Sequence, residues 1–441
     1  MSTETIARRN RSLDVALSEA RALYAARRPG SKAQHDAARA VMPGGNTRTV
    51  LFHGPFPLCA ANGEGAFLTD LDGHRYLNLL GEYTAGLFGH SHPVIRAAIE
   101  AALDGGVNLG AHSTMEAELA RLVCGRFPSI DLVRFTNSGT EANLMAIATA
   151  RYASTREKVM VFKGGYHGGL LYFGGGGIPI NAPYPFVVAR YNDIESTRAT
   201  IRKEAAKLAA ILVEPMMGSA GCIPAARDFL VMLCEEASRA GVVLIFDEVM
   251  TSRFSGGGAQ ALDGITPDMT TLGKYIGGGM SFGAFGGRRD LMAIYDPTLA
   301  GSMPHAGTFN NNVLSMAAGV AGLSQVFTPD VATALHQRGE ALRGRLNRIF
   351  ADAGVALQMT GRSSLMSLHA TAAQIQFVDD AATSSDAVKE LVFLDLLERG
   401  YYMARRGFIA LSLVVTDQDL DGFAEAMASI VAERADVLPR R

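Results

Sequence analysis

The stretch GVVLIFDEVMTSRFSGGGAQALDGITPDMTTLGKYIGGG, residues 241–279, decides the fold. It opens on an apolar run, Val242 to Phe246, followed by the carboxylates Asp247 and Glu248. A continuous apolar run this short, bounded by glycine and charge, predicts a strand buried on both faces of a parallel sheet. Ligands of open α/β sheets sit beyond the carboxyl ends of such strands, where Asp247 falls. Further on, Lys274 stands alone among small and apolar neighbours. A lysine so placed is poorly solvated, which favours the neutral, nucleophilic amine. From this stretch alone two readings stand: a strand-end carboxylate and a sheltered amine sharing one site, or a loop cap and a surface lysine.

Working upstream, DLVRFTNSGTEANLMAIATAR (131–151) predicts a short strand, a loop and a long helix. Ser138 followed by Glu141 has the spacing of a capping box. Gly139 and Thr140 then open a helix N-terminus, which binds phosphate or is simply well capped. A strand from Val159 to Phe162 leads into KGGYHGG (163–169), where Tyr166 and His167 stand between glycines. An aromatic ring in such a strand-end loop suits a planar ligand. Residues 171–185, rich in Gly and Pro, read as a loop over the site. A helix over 194–208 precedes the buried strand AAILVEP (209–215), which ends at Glu214. This alternation argues βαβ units with right-handed crossovers. Downstream of Lys274 come a strand-like FGAFGG (282–287) and PHAGTFNNN (304–312), which places Thr308 in a polar loop before a helix from about Val313.

The ends of the chain differ in texture. SLDVALSEARALYAARR (12–28) predicts a helix with Ser12 as N-cap, stopped by Pro29 and Gly30. MPGGNTRTVLF (42–52) holds Arg48, a carboxylate anchor or a surface arginine. GEGAFLTDLDGHRYLN (63–78) reads as a hairpin turning at Asp72-Gly73. GEYTAGLFGHSHP (81–93) follows with Glu82, Tyr83, His90 and His92. The two histidines read as turn and packing residues, because no third ligand stands at a metal-binding spacing. From about residue 330, helices at 331–352, 385–399 and 417–433 alternate with strands near 355–369 and 407–415. Arg405 and Arg406 stand just before the last strand, either holding a substrate carboxylate or merely solvated. The expected organisation is an N-terminal segment, 1–62, joined to a smaller α+β unit, 331–441, around a large unit, 63–330.

Composition excludes several classes. A chain of 441 residues with 48% hydrophobic and 19% charged residues has the balance of a large globular enzyme. A formal net charge of -2 gives no basic surface for nucleic acid or an anionic membrane. Cys59, Cys124, Cys222 and Cys234 form no CxxC pair and no zinc spacing, as expected of reduced thiols in the cytoplasm. MSTETIARRNRSLD holds no apolar leader, and no apolar run is long enough to span a membrane. The expectation is a cytoplasmic protein with no metal.

A strand-end carboxylate with a sheltered amine is what pyridoxal phosphate needs: a Schiff-base lysine and an anion to keep the ring nitrogen protonated. Taken in order, NSGTEAN, GGYHGG, VEP, IFDEV, TLGK and HAGTFNNN resemble the class III aminotransferases, pyridoxal-phosphate enzymes of fold type I. MPGGNTRT and GGGMSFGAFGG are similar to the subgroup of the glutamate-1-semialdehyde aminomutases and the β-phenylalanine aminotransferases. EYTAGLFGH, LIFDEVMTSR, GTFNNN and RRGFIALSL look like the latter. The resemblance implies a mostly parallel α/β large domain with a smaller α+β domain from both chain ends. It makes Lys274 the Schiff-base lysine and proton shuttle, with Asp247 paired to the pyridinium nitrogen. Tyr166 would stack on the ring and Val249 would pack its other face, with His167 and Glu214 as further cofactor contacts. Ser138, Gly139 and Thr140 would bind the phosphate, with Thr308 supplied by the partner subunit of a homodimer. Arg48, with Tyr83 beside it, would hold the carboxylate of a β-amino acid. Arg406 would hold the α-carboxylate of 2-oxoglutarate and swing aside for an aromatic group. The implied reaction moves an amino group from an aromatic β-amino acid such as (S)-β-phenylalanine to 2-oxoglutarate or pyruvate by a ping-pong mechanism. An aminomutase-type isomerase or another ω-amine transaminase are the alternatives. Met217 stands where many class III enzymes carry glutamine, and FNNN departs from the aminomutase pattern.

Overall fold

The structure, a computed structural model, describes residues 12–441, so the first part of the N-terminal stretch read for a leader lies outside the described residues. A seven-stranded sheet organises the chain: β1 (Leu132–Thr136), β2 (Lys158–Phe162), β3 (Phe186–Ala189), β4 (Leu208–Val213), β5 (Val243–Asp247), β6 (Met269–Gly273) and β7 (Gly283–Gly287). Their order across the sheet is β1-β7-β6-β5-β4-β2-β3. Strands β3, β2, β4, β5 and β6 run parallel, and β7 runs antiparallel to both β6 and β1.

The apolar runs make this sheet because both of its faces are covered. Every residue of β4 and β5 is buried. Side chains alternate along each strand, so Met160, Ile211, Leu244 and Phe246 pack on one face against helices Ile194–Glu204 and Arg227–Ala240. Val159, Val161, Leu212 and Ile245 pack on the other against helix Gly139–Ser154, through Ala142, Ala146 and Ile147. Three of the five residues of the antiparallel strand are glycine. Gly283 is paired with Thr136 of β1 on one side and Gly273 of β6 on the other. A Cβ placed there would lie 2.1 Å from the Ser138 carbonyl oxygen, so only glycine fits between these neighbours.

The hairpin Phe67–Asp70/Arg75–Asn78 pairs with Ala60–Glu64 on one edge and, in parallel, with Tyr401–Tyr402 on the other. A second, antiparallel sheet joins Leu357–Arg362, Leu365–Ala370 and Phe408–Ala410. Helices Pro329–Asp352, Asp386–Glu398 and Asp417–Glu433 contribute Leu342, Leu391 and Phe423 to one core with Leu17 and Tyr24 of the N-terminal helix. That helix, Leu13–Arg27, is capped by Ser12 Oγ accepting from Val15 N–H. Pro29 differs from expectation: it opens a second helix, Pro29–Arg39, because proline at the first helical position forfeits no intrahelical bond. Between the two helices Arg28 is buried, donating to Glu398 at 2.6 Å and to the Tyr76 hydroxyl at 3.0 Å. The helix expected over 194–208 ends at Glu204, and its last four positions form a turn and the start of β4. Among the described residues no helix is long and apolar enough to cross a membrane.

Candidate active site

A cavity of about 550 Å³ opens at the carboxyl ends of β1, β4, β5 and β6. Asp247, the last residue of β5, forms part of its floor and is held from three directions. Val249 N–H donates to Oδ1 at 3.0 Å, Asn143 Nδ2 donates to Oδ2 at 2.9 Å, and His167 Nδ1 lies 2.8 Å from Oδ2. Asn143 also donates to the His167 carbonyl at 3.0 Å and accepts from Thr271 Oγ1 at 2.7 Å. Asp247, His167, Asn143 and Thr271 are all buried. Sequence reasoning missed Asn143. Its signal was a lone amide four residues into the helix, on the same face as Gly139 and lying in sequence between the buried Ala142 and Ala146.

Lys274 follows the last residue of β6 with φ +55 and donates from Nζ to the Tyr83 carbonyl at 2.6 Å. Burial pushes its amine down to about 8, against the upward pull of Asp247 and Glu214. Glu214, just past β4, accepts from Tyr166 N–H at 2.9 Å and from Gly218 N–H at 3.1 Å. Burial raises its carboxyl to about 7, opposed by His167 and reinforced by Asp247.

The opposite end of the cavity is the first turn of helix Gly139–Ser154, where backbone N–H groups lack intrahelical acceptors. Ser138 Oγ accepts from Glu141 N–H at 3.2 Å. The expected reciprocal bond is displaced by one residue, because Glu141 Oε2 accepts from Asn137 N–H at 2.8 Å rather than from Ser138. A Cβ on Gly139 would come within 3.0 Å of Val249, so the glycine lets the helix end approach the end of β5. Tyr166 and Val249 both line the cavity, and Tyr166 is 46% exposed. Residues 171–185, read as a loop over the site, contribute nothing to the lining. Leu171 and Phe173 are buried in the core behind the sheet, where the Phe173 ring meets that of Phe186 at 4.9 Å. Met217 packs in the apolar layer on the other face.

The rim is built on Tyr83. Its ring stacks on Phe408 at 5.4 Å, and the guanidinium carbons of Arg48 and Arg406 lie 6.0 and 5.2 Å from its centroid. Arg48 is ion-paired with Glu82. Arg406 donates from Nη1 to the Ser219 carbonyl at 3.2 Å and to its hydroxyl at 3.3 Å. Its buried Nε has no protein partner. Arg405 is drawn the other way, to Glu390 at 3.0 Å. Thr308 is not brought to the phosphate end of its own chain; it is exposed and lines a separate groove with Leu109 and His112. From the same loop, Asn310 Oδ1 accepts from Asn137 at 3.0 Å, beside the helix end.

These donors suit one group with two ends. The helix end has the N–H groups to suit a dianionic phosphate, the Asp247 carboxylate would suit a protonated ring nitrogen, and an amine of lowered basicity stands in the same cavity. The comparisons agree. The Aminotransferase class-III family matches residues 52–173 and 178–431. The chain is 50% identical over 429 residues to a β-phenylalanine transaminase of Variovorax paradoxus, covering 97% of this chain and 99% of that protein. It is 37% identical over 417 residues to a glutamate-1-semialdehyde 2,1-aminomutase of Chloroherpeton thalassium, covering 90% and 96%. The crystal structure of a β-phenylalanine aminotransferase from Variovorax paradoxus superposes with a TM-score of 0.96 over 97% of this chain and 100% of that one, at 50% identity. This chain belongs to the class III aminotransferases and is a transaminase of fold type I that uses pyridoxal phosphate.

Proposed function

We propose that this transaminase takes its amino group from an aromatic β-amino acid, of which (S)-β-phenylalanine is representative, and passes it to 2-oxoglutarate or pyruvate in two separate half-reactions. The observation that carries this reading is the pair of guanidiniums set around one aromatic ring, Arg48 and Arg406 about Tyr83. A β-amino acid holds its carboxylate one carbon farther from the reacting amine than an α-acid does. Two separated anchors suit two substrates of unlike length. The likeness to the Variovorax paradoxus enzyme supports the same choice of donor.

In this reading pyridoxal phosphate supplies an electron sink for the carbon that bears the amine. Ser138, Gly139 and Thr140 bind its phosphate through hydroxyls and helix-end N–H groups. Tyr166 and Val249 would confine the ring, and His167 and Asn143, which hold Asp247, would aim its carboxylate to keep a ring nitrogen protonated. Lys274 would hold the group through Nζ, and its amine, poised near neutrality, would move a proton at the donor carbon. Glu214 holds the Tyr166 loop in place. Arg48 receives the donor carboxylate with Tyr83 as its neighbour, and Arg406 receives the α-carboxylate of the acceptor.

The reading also includes a homodimer in which Thr308 completes the partner's phosphate site. Exposed Leu109 and Phe309, which line the same groove as Thr308, support a covered face there. Action in the cytoplasm is supported by four free cysteines. The test is an absorbance spectrum of the purified holoenzyme with β-phenylalanine and no acceptor. Conversion of the cofactor band to its pyridoxamine form, followed by glutamate or alanine on adding the oxo acid, is expected. A band that ignores β-phenylalanine would discard the donor. Turnover without consumption of any oxo acid would establish an intramolecular shift instead.

A further inference from the structure

The two rim arginines differ in one respect. Arg406 lies against rings and a serine, with no carboxylate in contact, whereas Arg48 already holds one, that of Glu82. Glu82 stands in an unusual backbone. Gly81, Glu82, Tyr83 and Thr84 have φ of +53, +48, +50 and +85, a run of left-handed residues of which only the first is glycine. Asn or Gly is the ordinary occupant of such a position. The turn is held in this shape by Asn78 Oδ1, which accepts from Leu80 N–H at 3.0 Å and Gly81 N–H at 3.1 Å. It is also pressed on the Phe408–Ala410 strand, where a Cβ on Gly81 would meet the Ala410 carbonyl at 2.9 Å. One turn therefore does three things at once. It sets the Glu82 carboxylate on Arg48, the Tyr83 carbonyl on Lys274, and the Tyr83 ring between the two guanidiniums.

We propose that Glu82 is a specificity-determining residue: an internal carboxylate that occupies Arg48 and yields it only to a donor bearing a carboxylate of its own. This rests on the reading of Arg48 as the donor anchor. Both side chains of the pair are about half exposed, at 44% and 55%, so water readily solvates Glu82 once it is displaced. A carboxylate arriving at Arg48 binds by exchange rather than by filling a bare cation. The acceptor meets no such exchange, because Arg406 has no carboxylate partner among the described residues. Glu82 thus weakens binding of the donor carboxylate selectively and leaves the Arg406 side untouched.

Glu82→Gln and Glu82→Asn test this, the second being the side chain best suited to a left-handed position. In the holoenzyme, the KM for β-phenylalanine and the inhibition constant of 3-phenylpropanoate should both fall about two- to fivefold, the range set by an exposed ion pair. The KM for pyruvate should stay where it is. Arg48→Met is measured alongside. If it raises the β-phenylalanine KM while both Glu82 variants leave it unchanged or higher, the role of Glu82 is overturned and the anchor stands. If donor and acceptor constants move together in the Glu82 variants, the residue only shapes the turn, and the proposal fails. If Arg48→Met leaves the donor KM in place, the anchor reading falls and the role of Glu82 falls with it.

Discussion

The floor and the rim of the pocket are built by opposite means. At the floor, Asp247 accepts from the Val249 N–H and the Asn143 amide and meets the His167 imidazole at 2.8 Å, buried groups set just past the strand ends and on the helix packed against the sheet. At the rim, Arg48 and Arg406 rest on aromatic faces and on loop atoms, and the Arg48–Glu82 pair is open to solvent. A fixed floor serves chemistry that is the same for every substrate. In the proposed reaction a loosely held rim would serve recognition, which would have to accommodate two substrates in turn.

The largest effect should come from Lys274→Ala, which is expected to lower turnover by more than about 10³-fold while the fold survives. Transamination retained at the native rate, with a native melting curve, would break the assignment of the floor to chemistry. Next is Asn143→Ala, which leaves Asp247, the His167 carbonyl and Thr271 each short of a buried bond. A loss of about 1–3 kcal/mol in urea unfolding of the apo-protein is expected, with weakened cofactor affinity. Arg48→Met, by contrast, should change donor KM and shift stability by less than about 0.5 kcal/mol. Equal stability losses for the two variants would erase the distinction between floor and rim.

Two smaller effects concern pH. Because burial lowers the Lys274 amine to about 8, the rate at which apo-enzyme is reconstituted by pyridoxal phosphate should rise through about pH 8. An ordinary lysine would inflect above pH 10. A stopped-flow profile with no inflection near 8 would remove the poised amine. Glu214 has the reverse sign. Its folded value of about 7 lies above that of the unfolded chain, so its contribution is complete below about pH 4.3 and is lost as pH rises through 7. Glu214→Gln should flatten that part of the curve of melting temperature against pH.

The sheet was legible in the sequence because strands buried on both faces leave uninterrupted apolar runs, and Asp247 and Lys274 are punctuation at the ends of such runs. Other features depend on contacts between distant segments and leave no local trace. Arg405 and Arg406 are neighbours in one motif, yet one is tied to Glu390 and the other lies over Tyr83. Asn143 looks like a polar exception on an apolar helix until Asp247 is placed beneath it. Nothing in GEYT announces a left-handed turn, since Glu, Tyr and Thr are poor occupants of that conformation. Pro29 reads as a stop from upstream and as a start from downstream, and only the packing of the second helix decides between them.

Gly283 has a consequence beyond its own strand. It lies in register between Thr136, two residues before the Ser138 turn, and Gly273, one residue before Lys274. Two strand spacings, roughly 10 Å in all, therefore separate the two segments that, in the proposed function, would grip one cofactor from different ends. The bare backbone of Gly283 works as a gauge block in that gap. A single added methyl would meet the Ser138 carbonyl and push the cradle outward, changing the span of the grip with no substitution among the residues that make it.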